Sequence, residues 1–254
     1  MEGFGPRSYR DTMGSSRFSP TIISIEETDL WVGIDHASYR RIDQRELTAV
    51  IHKEVLSLRE AIVSYDATHS GFITSLKPIL SDENAPDIIK EMIDATMIAG
   101  IGPMGAVAGT VSERVGTYLK EYFSIGEIAV ENGGDIFVDI RSDLVLKIFA
   151  GGSPLSGKLG MTLSAELSPM GVCTSAGTVG PSLSLGRADA VMIACRNTSL
   201  ADAYATAFGN LIKSKDDVDS VIDSIRTIDA VLAAVIIKDD KAGICGRCEV
   251  NVYR

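Results

Sequence analysis

The 254-residue sequence lacks the features typical of two large classes of protein, those that span membranes and those that bind nucleic acids. No apolar run reaches the roughly 20 residues that a membrane-spanning helix requires. No stripe of Lys and Arg is present, and 34 acidic against 24 basic residues give a formal net charge of −10. Since nucleic-acid binding depends on concentrated basic side chains, we expect neither a membrane nor a nucleic acid as a partner.

Cysteine and histidine are also scarce, with four and three residues respectively. No histidine stands near an obvious Ser or Cys nucleophile, which argues against a hydrolytic triad. The sequence contains neither a P-loop nor the Rossmann fingerprint. Residues 1–19 are polar and lack the apolar segment of a signal peptide. We therefore expect a cytoplasmic protein whose cysteines are reduced thiols.

The order of predicted elements indicates a single α+β domain over residues 20–254, preceded by a polar N-terminal tail over residues 1–19. Hairpins and amphipathic helices alternate without a strict βαβ order. We expect mixed sheets with packed helices, arranged as two interleaved lobes. A strand at residues 144–149 would continue the sheet of the preceding hairpin, and residues 243–253 would form one final strand.

Residues 100–140 form the stretch around which the chain is organised. Gly105 and Gly109 stand one turn apart in a predicted helix, where each glycine costs roughly 1 kcal/mol relative to alanine. Either a neighbouring element packs closely against them or a ligand does. The Asn-Gly-Gly sequence at residues 132–134 predicts a tight hairpin, because Asn and Gly accept positive φ. Asp135 follows directly and would place a carboxylate beside the helix.

Two later segments add polar groups. Residues 172–180 combine small residues, hydroxyls and free backbone donors. Asp202 and Thr206 lie four residues apart on a predicted helix and therefore share one face. Their oxygens are hard ligands of the kind that Mg²⁺ takes. The alternative is that Asp202 merely complements the dipole at the helix start.

Cys245 and Cys248 form a CxxC pair, which cannot complete a four-ligand zinc site alone. A redox or sulfur-relay role would need an exposed thiolate of low pKa. In that hypothesis Cys245 and Cys248 are the catalytic residues. The alternative is two buried thiols on opposite faces of an ordinary strand.

Four of these segments, in this order, resemble motifs of the ApbE-like flavin transferases. Residues 105–109 (GAVAG) resemble the family's G-x-x-x-G helix start, and residues 132–135 (NGGD) its N-x-G-G-D hairpin. Residues 172–177 (VCTSAG) resemble its V-A-T-S-G segment, and residues 201–206 (ADAYAT) its A-D-A-x-x-T metal helix. Such enzymes move FMN from FAD onto a threonine of a target protein with Mg²⁺. The chain is most similar to a cytoplasmic branch found among archaea and anaerobic bacteria.

The resemblance implies a small-molecule site for a flavin, a nucleotide or another anionic metabolite, with Mg²⁺ at Asp202 and Thr206. FMN transfer is not expected, because Ala108 replaces the family's lysine and residues 177–188 lack its H-x-x-D-P segment. A partner protein is implied, either for the site or for the alternative relay role in anaerobic sulfur assimilation. The sequence leaves open whether the chain forms a homo-oligomer. The implied ligand-binding residues are Gly105, Gly109, Asn132, Gly133, Gly134, Asp135, Thr174 and Ser175.

Overall fold

The computed structural model describes residue 10 and residues 16–80, 82–177 and 185–253. Within these residues the chain forms an eight-stranded sheet, a three-stranded sheet and six α-helices. The strands are β1 (Phe18–Ile25), β2 (Thr28–Asp35), β3 (Ile128–Asn132), β4 (Asp135–Asp139), β5 (Leu144–Ile148), β6 (Leu159–Leu163), β7 (Met170–Ser175), β8 (Ala190–Cys195), β9 (Val231–Lys238), β10 (Lys241–Gly246) and β11 (Glu249–Val252). The helices are α1 (His36–Tyr39), α2 (Gln44–Thr68), α3 (Asp87–Ala99), α4 (Val107–Phe123), α5 (Thr198–Leu211) and α6 (Asp217–Ile225).

The eight-stranded sheet is the middle of three layers. Its strands follow the order β1-β2-β3-β4-β7-β8-β9-β10, and each neighbouring pair is antiparallel. Helices α2 to α6 pack on one face, which we call the helix face. The sheet β11-β6-β5 packs on the other, which we call the small-sheet face. Two sheets with packed helices confirm the predicted α+β class.

Helix α2 shows how local sequence sets an element of the helix layer. The Asp43 carboxylate accepts the backbone N–H groups of Arg45 and Glu46, and so satisfies two donors that a helix start leaves unpaired. The apolar residues at helical spacing are buried against the sheet and the neighbouring helices. They are Leu47, Ile51, Val55, Leu58 and Ile62.

The connection from α3 to α4 carries the first glycine of the organising stretch. Gly100 caps the end of α3, and its left-handed backbone (φ 75°) favours glycine. A 3-10 helix over Pro103–Ala106 then leads into α4. Gly105 therefore lies in this 3-10 segment, whereas Gly109 lies in the first turn of α4.

Two predictions about strands are wrong. Residues 144–149 do not continue the large sheet, because β5 pairs with β6 in the small sheet. Residues 243–253 do not form one strand. The chain turns at Gly246 (φ 103°), so that β10 pairs with β9 in the large sheet and β11 pairs with β6 in the small one.

Described residues near the N-terminus contact the rest of the domain. Strand β1 begins at Phe18, and the Arg10 side chain is buried. Residues 1–9 and 11–15 lie outside the described residues. Among the described helices, none alone has the length and apolar character of a membrane span, although the bent pair of α3 with residues 103–123 passes that test together.

Candidate functional site

The hairpin between β3 and β4 presents a two-residue glycine turn. Gly133 (φ 68°) and Gly134 (φ 107°) both have positive φ, which is the backbone of a type I′ turn. The hairpin is confirmed, but the positive φ values belong to Gly133 and Gly134, whereas Asn132 closes the turn opposite Asp135. The Asn132 side-chain amide donates a hydrogen bond to the carbonyl of Ala108 at 3.3 Å, which ties the hairpin to α4.

Helices α4 and α5 meet at Gly109. Its backbone N–H donates to Oδ2 of Asp202 at 2.8 Å. A Cβ atom added at Gly109 would stand 2.7 Å from both the Cβ of Asp202 and the carbonyl oxygen of Thr198. Helix packing therefore accounts for this glycine. At Gly105 a Cβ atom would meet the Ile101 side chain at 2.5 Å and Cγ2 of Thr206 at 3.5 Å.

A group of buried acidic and thiol side chains lies on the helix face behind the turn. Asp135 and Cys173 are directly opposite each other on β4 and β7, and both are buried, as is Asp202. Burial, followed by the charge of Asp202, holds the pKa of Asp135 well above its usual value. Burial raises the pKa of Asp202 to about 7, although the backbone N–H groups of Gly109 and Ala108 oppose the rise.

The thiol of Cys173 completes this buried group. It donates a hydrogen bond to the carbonyl of Thr198 at 3.5 Å. Burial, and then the charges of Asp135 and Asp202, raise its pKa well above the usual value, so it stays a thiol. No Lys or Arg among the described residues forms an ion pair with either carboxylate. The negative charge at the centre of the site can therefore be balanced by protons on the carboxyl groups or by a bound cation.

Strand β7 brings part of the hydroxyl segment to the same place. Ser175 shares the helix face with Cys173, and its hydroxyl would lie 3.2 Å from a Cβ added at Gly209 of α5. Thr174 alternates to the small-sheet face, so its side chain points away from the two carboxylates. Its carbonyl stands 3.6 Å from a Cβ added at Gly134, which brings the turn and β7 together. Residues 178–180 of the segment lie outside the described residues.

Both predicted metal ligands, Asp202 and Thr206, lie on α5. Asp202 is buried, whereas Thr206, one turn further along, is half-buried. Among the described residues no three His, Cys, Asp or Glu side chains converge as a metal site. One carboxylate and one hydroxyl are nevertheless suitable Mg²⁺ ligands, and Mg²⁺ commonly takes its remaining ligands from waters and phosphate oxygens. The buried carboxylate without a basic partner fits such an ion.

The CxxC cysteines are separated by the turn at Gly246. Cys245 lies on β10 and packs against the cluster under α5 and α6, whereas Cys248 packs against the cluster between the two sheets. The two side chains thus contact different apolar clusters. Burial raises the pKa of both thiols, which opposes the thiolate that a relay requires.

Two surface depressions elsewhere contain none of the predicted site residues. One, of about 930 Å³, lies along α2 and is lined by that helix alone. The other, of about 290 Å³, lies between residues 152–154 and the acidic turn after β9. The site on the helix face is therefore recognised by its chemistry and not by cavity size.

Sequence reasoning did not assign a role to Cys173 or Glu131. Cys173 faces the site because it alternates with Thr174, a signal available once residues 170–175 are read as a strand. Glu131 is fully buried, and its carboxylate accepts the N–H of Gly134 at 2.8 Å. The sequence contains no pattern that marks Glu131 as a support for the turn.

Comparison with solved structures gives the fold class. The chain is similar to the flavin transferase ApbE from Vibrio cholerae, with a TM-score of 0.60 and 10% identity over 89% of this chain and 96% of that one. It is also similar to the flavinyl transferase ApbE of Pseudomonas stutzeri, with a TM-score of 0.59 and 11% identity over 94% and 95% of the two chains. At such identities the likeness shows a shared fold.

Sequence comparison then gives the family. Residues 12–231 match the family described as "AbpE bacteria". The UPF0280 protein of Methanococcus vannielii is 34% identical over 89% of each chain. That of Methanopyrus kandleri is 36% identical, again over 89% of each chain. The chain therefore belongs to this ApbE-like family, and the resemblance inferred from its motifs is confirmed.

Proposed function

We propose that the chain binds a flavin nucleotide together with Mg²⁺ on the helix face. The ligand would lie between the Gly133-Gly134 turn, the start of α4 and the end of β7. The observation that carries the proposal is the pair of buried carboxylates, Asp135 and Asp202, which have no Lys or Arg ion-pair partner among the described residues. The fold shared with flavin transferases supports a flavin over other anionic metabolites.

The two carboxylates make binding depend on a cation. When they are ionised, an anionic phosphate cannot approach them closely without a cation between, because like charges at short distance in a poorly solvated site repel strongly. Asp202 and Thr206 would hold Mg²⁺, and the ion would supply the positive charge that the phosphates require. Affinity for FAD or FMN should therefore depend on Mg²⁺.

FMN transfer is outside the proposal. Ala108 stands where the resembling transferases have lysine, and here its carbonyl accepts the Asn132 amide at 3.3 Å. Loss of that cationic side chain removes a group suited to a phosphate. We therefore assign binding, and not transfer, to this site. The relay role of Cys245 and Cys248 stays a hypothesis that no contact between the two thiols supports.

The test is titration of the flavin-free protein with FAD and with FMN, with and without Mg²⁺. Asp202→Asn should abolish the effect of Mg²⁺ and weaken binding at least about tenfold, as expected when a metal ligand is lost. Asp223→Asn is the matched control, because that carboxylate lies on the exposed side of α6 and pairs with Arg226. Absence of binding to either flavin with Mg²⁺ present would overturn the proposal.

A further inference from the structure

We propose that Arg10 is a positioning residue, which holds the Gly133-Gly134 turn in place from the far side of the sheet. This inference rests on the proposed function where it concerns ligand affinity, but its effect on the turn can be measured without a ligand. It would make Arg10, which lies within the predicted tail, part of the binding site's support.

Arg10 is anchored by two acidic residues of neighbouring strands. Its Nε donates to Oε2 of Glu131 at 2.6 Å, and Nη1 donates to Oδ1 of Asp29 at 3.1 Å. Nη2 also donates to the backbone carbonyl of Asp29 at 2.7 Å. Arg10 is 9% exposed and Glu131 0% exposed, so this ion pair is shielded from water. Charge-assisted bonds from a planar guanidinium fix orientation as well as adding attraction.

The Glu131 carboxylate that binds Arg10 also binds the turn. While Oε2 binds Arg10, Oε1 accepts the N–H of Gly134 at 2.8 Å. One carboxylate thus links residue 10 to the second residue of the glycine turn. Asp135, the first buried carboxylate of the site, is the next residue along the chain.

The turn is held from both faces of the sheet. Along β3, Ala129 belongs to the small-sheet cluster and Val130 to the helix-face cluster, so Glu131 lies on the small-sheet face and Asn132 on the helix face. Asn132 is bonded to α4 through the carbonyl of Ala108. A turn of two glycines has little conformational preference of its own, so the hydrogen bonds of Glu131 and Asn132 restrict its conformation.

Removal of the Arg10 guanidinium changes what the buried Glu131 carboxylate can do. The carboxylate then loses a charge-assisted donor in a poorly solvated place, which is unfavourable, so it is expected to rotate toward its other contacts or toward water. That rotation weakens its bond to Gly134. The turn then samples more conformations, and the ligand must order it again on binding.

The chain offers a matched control in Arg17. This second N-terminal arginine pairs with Glu127, which directly precedes β3 at the end opposite the turn, with Nη2 2.5 Å from Oε1. It also donates to the carbonyls of Ser142 and Asp143. Arg17→Ala therefore removes an ion pair of the same kind without touching Glu131 or Gly134.

The experiment compares amide hydrogen exchange at Gly134, by NMR on the full chain, in Arg10→Ala, Arg10→Lys and Arg17→Ala. Exchange at Gly134 should be about tenfold faster in Arg10→Ala. This is the loss of protection expected when a hydrogen bond to a charged acceptor is weakened. A lysine ammonium keeps the charge but cannot bind Glu131 and Asp29 with the planar, forked geometry of a guanidinium. Exchange in Arg10→Lys should therefore be intermediate. Adding Glu131→Gln to Arg10→Ala should change little more, because both act through one contact.

Affinity for FAD with Mg²⁺, measured on the same variants, should fall about tenfold in Arg10→Ala and stay unchanged in Arg17→Ala. Equal Gly134 exchange in the two alanine variants overturns the positioning role. Faster exchange with unchanged affinity overturns its link to the ligand. If the unmodified chain binds no flavin, the proposed function fails, and the exchange comparison alone decides the role of Arg10.

Discussion

Buried carboxylates on the two faces of the eight-stranded sheet differ in how their charge is balanced. On the small-sheet face, Glu131 is paired with Arg10. On the helix face, Asp135 and Asp202 lie close enough for one to raise the pKa of the other, with no basic ion-pair partner among the described residues. A buried charge that is paired within the protein is stable without any ligand. Two buried carboxylates without a basic partner must instead bind protons or a cation.

The remainder of each face follows the same division. The small-sheet face is filled by apolar side chains from both sheets. The helix face has two large apolar clusters, with the acidic site where α4, α5 and the hairpin meet. We expect substitutions of the apolar side chains on the first face to lower stability alone, and substitutions at the site to change ligand binding and pH response.

The largest expected effect is on the small-sheet face, from Ile148→Ala. Ile148 is 0% exposed, and truncation of such a side chain leaves a cavity that costs about 3 kcal/mol of unfolding free energy. Urea unfolding measures the loss. Val145→Ala on the same strand is the control, because Val145 is 42% exposed. If Ile148→Ala weakened FAD binding at temperatures where the protein stays folded, the division between the faces would not hold.

Gly109→Ala should have the next largest effect, and on both properties. The new methyl group would stand 2.7 Å from the Thr198 carbonyl and from Cβ of Asp202, so α4 and α5 must separate. Overpacking of this kind costs about 2 kcal/mol. Moving Asp202 should also weaken Mg²⁺-dependent binding.

Gly152→Ala is the control for this substitution, because a methyl group there meets no atom within 4 Å. Thermal unfolding and calorimetric titration check both variants. A Gly109→Ala protein with normal stability and affinity would show that α4 and α5 do not need close contact.

A third prediction concerns pH. Burial raises the pKa of Asp202 to about 7, so the folded chain holds a proton that the unfolded chain releases near the ordinary value of 3.8. The stability contributed by this proton is complete below that ordinary value and is lost as the pH rises through about 7. Asp135 is shifted in the same direction.

Without Mg²⁺, the unfolding free energy should therefore fall by at least ~1.4 kcal/mol, the value of one pKa unit, between mildly acidic and mildly alkaline pH. Asp202→Asn should reduce this slope, and Mg²⁺ should reduce it in the unmodified protein. Denaturant unfolding across the pH range measures the slope. A stability that rises with pH in this window would contradict the predicted sign.

The smallest effect is expected at Cys245 and Cys248. Burial raises the pKa of both thiols, so alkylation at neutral pH should be slow until the protein unfolds. Cys248→Ser should leave flavin affinity unchanged, because Cys248 packs between the two sheets. Mass spectrometry of iodoacetamide-treated protein follows the reaction. Rapid alkylation of either thiol in the folded state would favour the relay hypothesis.

Much of the helix layer and the hairpins could be predicted because their signals are local. The Asp43 cap and the apolar spacing that follows it determine α2, and the glycine turn determines the β3–β4 hairpin. The sheet that β5 would join could not be predicted. Its alternating pattern fits either sheet, because alternation records that one face is buried and not which layer buries it.

The candidate site was predictable only in its parts. Motif order brought together the segments that contain Gly109, Asp135 and Asp202, but the burial that raises the pKa of both carboxylates depends on packing. Thr174 was grouped with Ser175, although strand alternation places their side chains on opposite faces. The split of the CxxC pair depends on a turn at Gly246 that a single glycine does not specify.

By itself, the sequence determined the α+β class, the glycine hairpin, the cap of α2 and the relationship to the ApbE-like family. These rest on neighbouring residues or on motifs that keep their order. Only the tertiary structure decided what those motifs face. The bond from Gly109 to Asp202 joins residues 93 positions apart, and that from Arg10 to Glu131 joins residues 121 apart. Contacts over such separations arise from the packing of whole layers, and no local pattern encodes them.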